Sequence, residues 1–529
     1  MGVKSLDAAR PASQVPASSS WLHRSRADLL LALPFIAFFL LQLAHHQMWR
    51  DETNPWALAV NSRSLGQLFY FARNEAHPYL WYLLLWVVSR ASVSLVVLKC
   101  LAAFVGTCTY LLIALRSPFS RLEKVLLFCS YYISFEYAVF ARMYGLMLLL
   151  VVLYLCSRTS QPYKVVRNAV WLGLIANADT YGVLLTFALV AEYTWFLGSD
   201  RAWWKRQWRK QVLPAFTIYV VFLAVSFASL IPTKHVSLDT SKGGPLAHVR
   251  SRIFLSQAVR GAMIDSWYPL DPEAPKQYWN VTHLRHVTDV FLGLVILAIG
   301  LQFRHEKRLL FTLAFYGLTL ILFMYLVYMG YSRHYGTMFV AFLAALWIQR
   351  SQEANLPNSQ SISSRFAPAA PRFALLPLGV CAWAGVVVAY ASWTHPFSQA
   401  GAAAQWLRTN QYDRVLLVGT PDFAAANVAE HLGRPMYFLE CGCTDTFMQF
   451  WDRRDHFSEK EIPSRLAQAF TQAHQPFLIY VGARPLTEDQ LRAIASHSIA
   501  VTPLAQFTGA EEDLENFFLY KIGASAPES

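Results

Sequence analysis

Two adjacent carboxylates, Asp51 and Glu52, follow directly on the first long apolar run of the chain. Such a pair can take a proton from an incoming hydroxyl or amine, the second acid orienting that acceptor or binding a divalent cation. Asp51 is the expected base and Glu52 its partner at a catalytic centre. Arg142, Arg333 and His334 stand at the ends of later apolar runs, and Lys99 lies near the end of another. Guanidinium grips phosphate oxygens with two prongs, and a phosphate leaving group needs charge neutralisation as its bond to carbon breaks. These four are the expected phosphate-binding residues. His77, Glu136, Tyr144, Asp179 and Tyr181 fall at the same apolar boundaries and are expected to line the substrate site, together with Lys234 and His235 from a long polar loop.

Plainer readings stand beside these. The acid pair also suits a helix N-terminus, where the backbone dipole attracts negative charge. An arginine at the end of a membrane span commonly reaches out to lipid headgroups, and His77 before Pro78 is an ordinary helix start. Glu136 resists dismissal, because an acid inside an otherwise apolar span is costly. Tyr131, Tyr132, Tyr137 and Tyr144 have the character of aromatic-belt and packing residues. The chain carries no Gly-rich loop ending in Lys-Ser/Thr and no Asp-x-Asp sequence, so a nucleotide-sugar or ATP mechanism has no visible apparatus. No cofactor is implied, and a divalent cation stays open.

The elements that must position these residues are membrane helices. The chain has 529 residues, 55% hydrophobic and only 15% charged, more apolar side chain than a soluble core would bury. Its apolar residues form blocks of bilayer length, roughly 17–25 residues. Spans are expected at 29–49, 93–115, 125–141, 143–156, 165–179, 181–197, 212–231, 287–303, 309–329, 332–348 and 373–393, about eleven in all. The run 79–88 is too short to cross and is expected to lie in the interface. With that choice the basic clusters around Arg116, Arg158, Arg206 and Arg304 share one set of loops, as the positive-inside rule requires of cytoplasmic loops. The net charge of +12 therefore reports topology, and nucleic acid is not an expected partner.

Residues 1–27 read as a disordered cytoplasmic tail, 28–350 as the catalytic membrane region with outer loops 50–92 and 232–286, and 351–372 as a cytoplasmic linker before the last span. Within the second outer loop, Lys242, Trp267, Tyr268 and Trp279 suit a lid or a surface anchor, and 246–264 an interfacial helix. Beyond 393 the pattern changes to alternating strands and helices, so 394–529 is expected to be an extracytoplasmic α/β domain. Of the seven cysteines only Cys441 and Cys443 lie together in polar surroundings; a bridge across one residue tends to be strained, and the expectation is two unlinked thiols.

The order Asp51-Glu52 after the first span, then His77-Pro78 leading into Tyr79-Leu80-Trp81-Tyr82, then Ala141-Arg142-Met143-Tyr144, resembles the GT-C superfamily of membrane glycosyltransferases. Within it, the pattern is most similar to bacterial relatives of the protein O-mannosyltransferases and lipid A aminoarabinose transferases. The resemblance covers about 29–348. Phe140 stands where the family has Glu directly before Ala-Arg, with Glu136 one turn earlier, and Tyr79 replaces a second proline. The resemblance implies inverting transfer from a polyprenyl-phosphate sugar to a glycan, lipid or protein acceptor, with Asp51 near the reacting carbon. It also implies a multi-pass protein of the cell inner membrane whose site faces the periplasm. The competing class is a lipid-linked substrate transporter or flippase, since charges within spans also mark transport paths. Transporters commonly show paired halves, and no internal repeat is visible.

Overall fold

The computed structural model describes residues 19–231, 252–267, 285–328, 330–354, 372–448 and 457–525. The chain forms a helical bundle followed by an α/β domain. In chain order the helices are α1 (Ser19–His45), α2 (Arg50–Asn61), α3 (Leu65–Ala72), α4 (Leu80–Ser89), α5 (Leu95–Arg116), α6 (Arg121–Cys129), α7 (Met143–Ser160), α8 (Val165–Ala178), α9 (Thr180–Ser199), α10 (Arg201–Gln207) and α11 (Leu213–Leu230). Then come α12 (Arg252–Arg260), α13 (Arg285–Phe303), α14 (Lys307–Leu326), α15 (Ser332–Tyr335), α16 (Thr337–Ala354) and α17 (Leu375–Thr394).

Among the described residues seven helical segments are long and apolar enough to cross a membrane: Ser25–His45, Leu95–Arg116, Met143–Ser160, Thr180–Ser199, Arg201–Leu230, Lys307–Leu326 and Leu375–Thr394. Several of the other runs expected to cross are shorter or interrupted among the described residues. The run expected at 125–141 is broken: α6 ends at Cys129, and a single π-helical turn, Tyr132–Glu136, follows. Gly385 of α17 lies against the freed Cys129 carbonyl, an approach that any Cβ there would block. The run at 165–179 is the 14-residue α8, too short to cross upright. The run at 332–348 is divided at Gly336 into α15 and α16. Residues 337–349 of α16 are all buried, which explains apolarity around the whole helix. The run 79–88 forms α4, ten residues long and short of a span. Residues 232–251 and 268–284 of the second outer loop and 355–371 of the linker lie outside the described residues, as do 1–18 of the tail. The interfacial helix expected at 246–264 is represented by α12 and a π-helical turn, Gly261–Asp265.

The bundle has two chemically distinct ends. Helix α7, 18 residues and therefore about 27 Å long, begins beside Arg142 and carries Arg158 in its last turn. At the Arg158 end, the fully buried Glu192 of α9 meets Arg158 Nη2 and Arg308 Nε, each at 3.2 Å. Asp179, at the start of α9, and Arg333, after α14, lie at the opposite end, where α2 crosses.

The C-terminal domain contains α18 (Ala400–Thr409), α19 (Asp422–Leu432), α20 (Ile462–Ala473) and α21 (Glu488–Ala495). Its strands are β1 (Leu417–Thr420), β2 (Met436–Phe438), β3 (Cys443–Asp445), β4 (Phe477–Gly482), β5 (Ile499–Phe507) and β6 (Phe517–Ala524), in the order β3-β2-β1-β4-β6-β5. Strands β2, β1 and β4 are parallel; β3, β6 and β5 pair antiparallel. β1 and β4 are buried along nearly their whole length, as their unbroken apolar runs require. Cys441 and Cys443 are joined in a disulfide, correcting the expectation of free thiols. Gly442 between them has φ +57°, a left-handed conformation that folds the chain back and is open to glycine at no steric cost.

Candidate active site

The site begins where α1 ends. His45 closes that helix, and after the elbow 46–49 the chain turns into α2 with Asp51 and Glu52 in its first turn. Neighbouring residues on a helix point about 100° apart, so the two acids face different surroundings. Asp51 points to the end of the bundle that α2 crosses, where its Oδ2 lies 3.0 Å from Arg333 Nη2. Arg142, at the N-terminus of α7, donates from its guanidinium to the Asp51 backbone carbonyl. The Arg333 guanidinium also lies over the rings of Trp49 and Tyr331, at 5.4 and 4.9 Å. Two arginines 191 positions apart thus converge on one helix start. Burial by itself would raise the Asp51 pKa, but Arg333 first, then Arg142, Arg50 and His77, outweigh it and hold the carboxyl below its ordinary value.

Glu52 turns inward and is fully buried. Its Oε2 lies 2.7 Å from His46 Nε2 and 3.3 Å from the Trp49 N–H, and its Oε1 accepts from the Ala141 N–H at 2.7 Å. Both oxygens are therefore occupied, and Glu52 links α2 to the residue next to Arg142. It does not face the opening with Asp51, which corrects the expectation of a paired catalytic acid. A cation bridging the two carboxylates would need both to face one point, and they do not. Among the described residues no group of three or more His, Cys, Asp or Glu side chains could hold a metal ion.

Lys99 also departs from expectation. Its ammonium donates to the carbonyls of Ala44 and His46, at 3.1 and 2.8 Å, closing the C-terminal end of α1. His334 is buried, and its Nδ1 accepts from the Tyr331 N–H at 2.8 Å. That nitrogen keeps its lone pair, so the ring is no cation for phosphate. It stacks on Tyr181 at 4.7 Å and meets Tyr144 edge-on at 5.8 Å, forming the aromatic wall behind Arg333. The Tyr137 hydroxyl donates to the Arg333 carbonyl at 2.7 Å and fixes its backbone.

His77 Nδ1 lies 3.3 Å from Asp179 Oδ1, and Asp179 Oδ2 caps α9 through the Tyr181 N–H at 2.9 Å. This pair ties the segment between α3 and α4 to the start of α9. Glu136 is buried and bonded to the Tyr131 hydroxyl, away from the opening. Lys234 and His235 lie outside the described residues. Several buried polar atoms around the opening have no hydrogen-bond partner: Arg142 Nε, Arg333 Nε and the hydroxyls of Tyr144 and Tyr181. Buried donors are seldom left unsatisfied, so these can receive an oxygen-rich group; Arg158 Nε, Arg308 Nε and the Tyr154 hydroxyl at the opposite end are likewise without a hydrogen-bond partner.

Sequence reasoning missed Glu75. It lies in the same outer loop as His77, partly buried, with Asn54 Nδ2 of α2 donating to its Oε1 at 3.4 Å. Burial chiefly, with the Asp51 charge adding and Arg142 and Tyr82 opposing, pushes its pKa up to about 8. An acid two positions before His77-Pro78 was the available signal, but nothing in the spacing brings it to α2.

No family model matches the chain, and no curated protein matches it. Among solved structures the chain is similar to the crystal structure of ArnT from Cupriavidus metallidurans bound to undecaprenyl phosphate. The identity is 11%, over 95% of this chain and 98% of that one, with a TM-score of 0.49.

Proposed function

We propose that this membrane protein is a glycosyltransferase that moves a sugar from a polyprenyl-phosphate donor to a glycan, lipid or protein acceptor, with inversion, on the periplasmic face of the inner membrane. The observation that carries the reading is the convergence of Arg142 and Arg333 on Asp51, with guanidinium donors left over. In this reading Asp51 takes the acceptor proton as the acceptor oxygen or nitrogen attacks the anomeric carbon. The bond from that carbon to the phosphate oxygen breaks, and its electron pair stays on the phosphate.

Arg142 and Arg333 neutralise the charge that develops there, a contribution that is usually the largest in such chemistry. When the donor phosphate takes up Arg333, Asp51 loses its nearest counter-charge and becomes a stronger base as the complex forms. Glu75 is protonated at neutral pH and serves as a hydrogen-bond donor beside the base. Glu52 positions Arg142 through Ala141, and His77, Asp179, Tyr144 and Tyr181 shape the wall. The disulfide between Cys441 and Cys443 suits an oxidising compartment and supports placing the C-terminal domain outside the cytosol.

The test uses purified protein in lipid nanodiscs with polyprenyl-phosphate sugars labelled in the sugar. Lipid phosphate should be released with the wild type and fall at least about a hundredfold with Asp51→Asn, the lower range for loss of a general base. Undiminished release in that variant sinks the proposal. Movement of intact lipid across vesicles without sugar release assigns the chain to the flippase class instead.

A further inference from the structure

The first turn of α2 is held from far away. Its N-cap residue, Trp49, has no side-chain oxygen to offer the exposed N–H groups of a helix start. The missing acceptor comes from the C-terminal domain: Glu515 Oε1 accepts from the Arg50 N–H at 3.1 Å and from Arg50 Nη1 at 3.4 Å. Glu515 is fully buried. Its other oxygen accepts from Ser398 Oγ at 2.6 Å and Asn427 Nδ2 at 2.7 Å. Asn427, on α19, in turn accepts from Thr53 Oγ1 at 2.9 Å. Two positions that bracket Asp51, Arg50 and Thr53, are thus both bonded into one buried polar cluster of another domain.

The contact continues along the helix. Arg50 Nη2 reaches Glu512 Oε1 at 2.8 Å, Asn54 Oδ1 accepts from the Met448 N–H at 2.9 Å, and Asn61 Nδ2 donates to Thr446 Oγ1 at 2.8 Å. Glu52 is turned the other way, to His46 and Ala141 of the bundle. Asp51 therefore sits on a helix whose opposite faces are gripped by two separately built parts of the chain.

We propose that Glu515 is a positioning residue for Asp51, so that the C-terminal domain completes the active site by fixing the start of α2. This rests on the reading of Asp51 as the base. A carboxylate delivers a proton transfer only within hydrogen-bond reach of its target, and a displacement of about 1 Å can cost on the order of a hundredfold. Removing Glu515 frees the Arg50 N–H and takes from the Asn427 amide the shortest of its three bonds, leaving those to Ser398 Oγ and the Met48 carbonyl, so the supports of Arg50 and Thr53 loosen together while Arg142 and Arg333 keep their own.

The experiment uses full-length protein in nanodiscs with Glu515→Ala and, since that change empties a buried site, with Thr53→Val, which removes the hydroxyl shared between Asn427 Oδ1 and the Trp49 carbonyl at nearly constant shape. Amide hydrogen exchange read by mass spectrometry should speed up by about tenfold or more over 50–56 in both variants, with 143–160 unchanged. With a polyprenyl-phosphate hexose as probe, turnover should drop about a hundredfold in Glu515→Ala and about tenfold in Thr53→Val, with KM for the donor within about twofold. Combining Glu515→Ala with Asp51→Asn should cost nothing beyond Asp51→Asn alone. Unchanged exchange over 50–56, wild-type turnover, or a full additional loss in the double variant each overturns the proposal. Wild-type turnover in Asp51→Asn instead overturns the reading of Asp51 beneath it.

Discussion

Replacing Arg333 by glutamine separates two roles the guanidinium holds at once. Its Nη2 stands 3.0 Å from Asp51 Oδ2, with side-chain exposures of 20% and 25%. A pair at that separation is worth about 5 kcal/mol at an effective dielectric of about 20. Solvent reaches both groups, and Arg142 and Arg50 remain, so the loss felt by Asp51 is nearer 1–2 kcal/mol. The sign follows from the charges. Arg333 holds the Asp51 carboxyl low, so its removal lets the pKa rise, and the acidic limb of the rate profile moves to higher pH. Arg142 and Arg50 still favour the ionised carboxyl, so this shift acts on the acidic limb and not on the rate at neutral pH.

The second role is support of the leaving phosphate. Loss of one preorganised donor to a developing oxyanion costs about 10²–10³ in kcat. Arg333→Gln should therefore show both a displaced acidic limb and a drop of that size at pH 7, read as release of polyprenyl phosphate from labelled donor. Arg333→Lys, which keeps the charge and loses the fork, should fall between. A rate at pH 7 within about threefold of wild type would show that Arg333 is only a counter-ion, since a donor to the oxyanion costs far more. A full rate loss with the acidic limb unmoved would refute the electrostatic link to Asp51.

Other consequences follow from individual residues. Glu75, with its pKa pushed up to about 8, is neutral below that pH; if the neutral acid is the working form, turnover declines as pH rises through 8, and Glu75→Gln removes the decline. A rate profile in which Glu75→Gln keeps the alkaline limb assigns that limb to another group. Glu52→Gln keeps the acceptor for Ala141 but removes the negative charge facing His46, so thermal stability in detergent should fall by about 1–3 kcal/mol, with a loss of turnover through Arg142. Glu192→Gln, at the far end of the bundle, leaves Arg158 and Arg308 without their counter-charge and should cost about 3–5 kcal/mol of stability with kcat/KM preserved in the folded fraction. A matching drop in kcat/KM would mean that the two ends of the bundle are coupled.

The membrane class, the α/β character of the C-terminal domain and the placing of Asp51, Arg142 and Arg333 together were legible in the amino-acid order. Local signals suffice for these. An apolar block of bilayer length commits its backbone to a helix whatever surrounds it, as in Leu95–Arg116 and Leu375–Thr394. The strand Phe477–Gly482 and the helices Asp422–Leu432 and Glu488–Ala495 follow their own apolar periodicities. Asp51, Arg142 and Arg333 could be gathered on one side because span count and loop charge assign each helix end a face.

Direction and partnership were decided only by the tertiary structure. Asp51 and Glu52 are chemically near-equal neighbours, yet a helical turn aims one at Arg333 and the other at His46 and Ala141. Lys99 could hold a phosphate by its chemistry, and the crossing of α1 and α5 gives it two carbonyls instead. Glu75 becomes a site acid because Asn54 and the Arg142 guanidinium are packed beside its loop. Glu515 reaches Arg50 across 465 positions. A chain records the type and spacing of its charges, but a hydrogen bond depends on distance and angle, and those exist only once separate helices have packed.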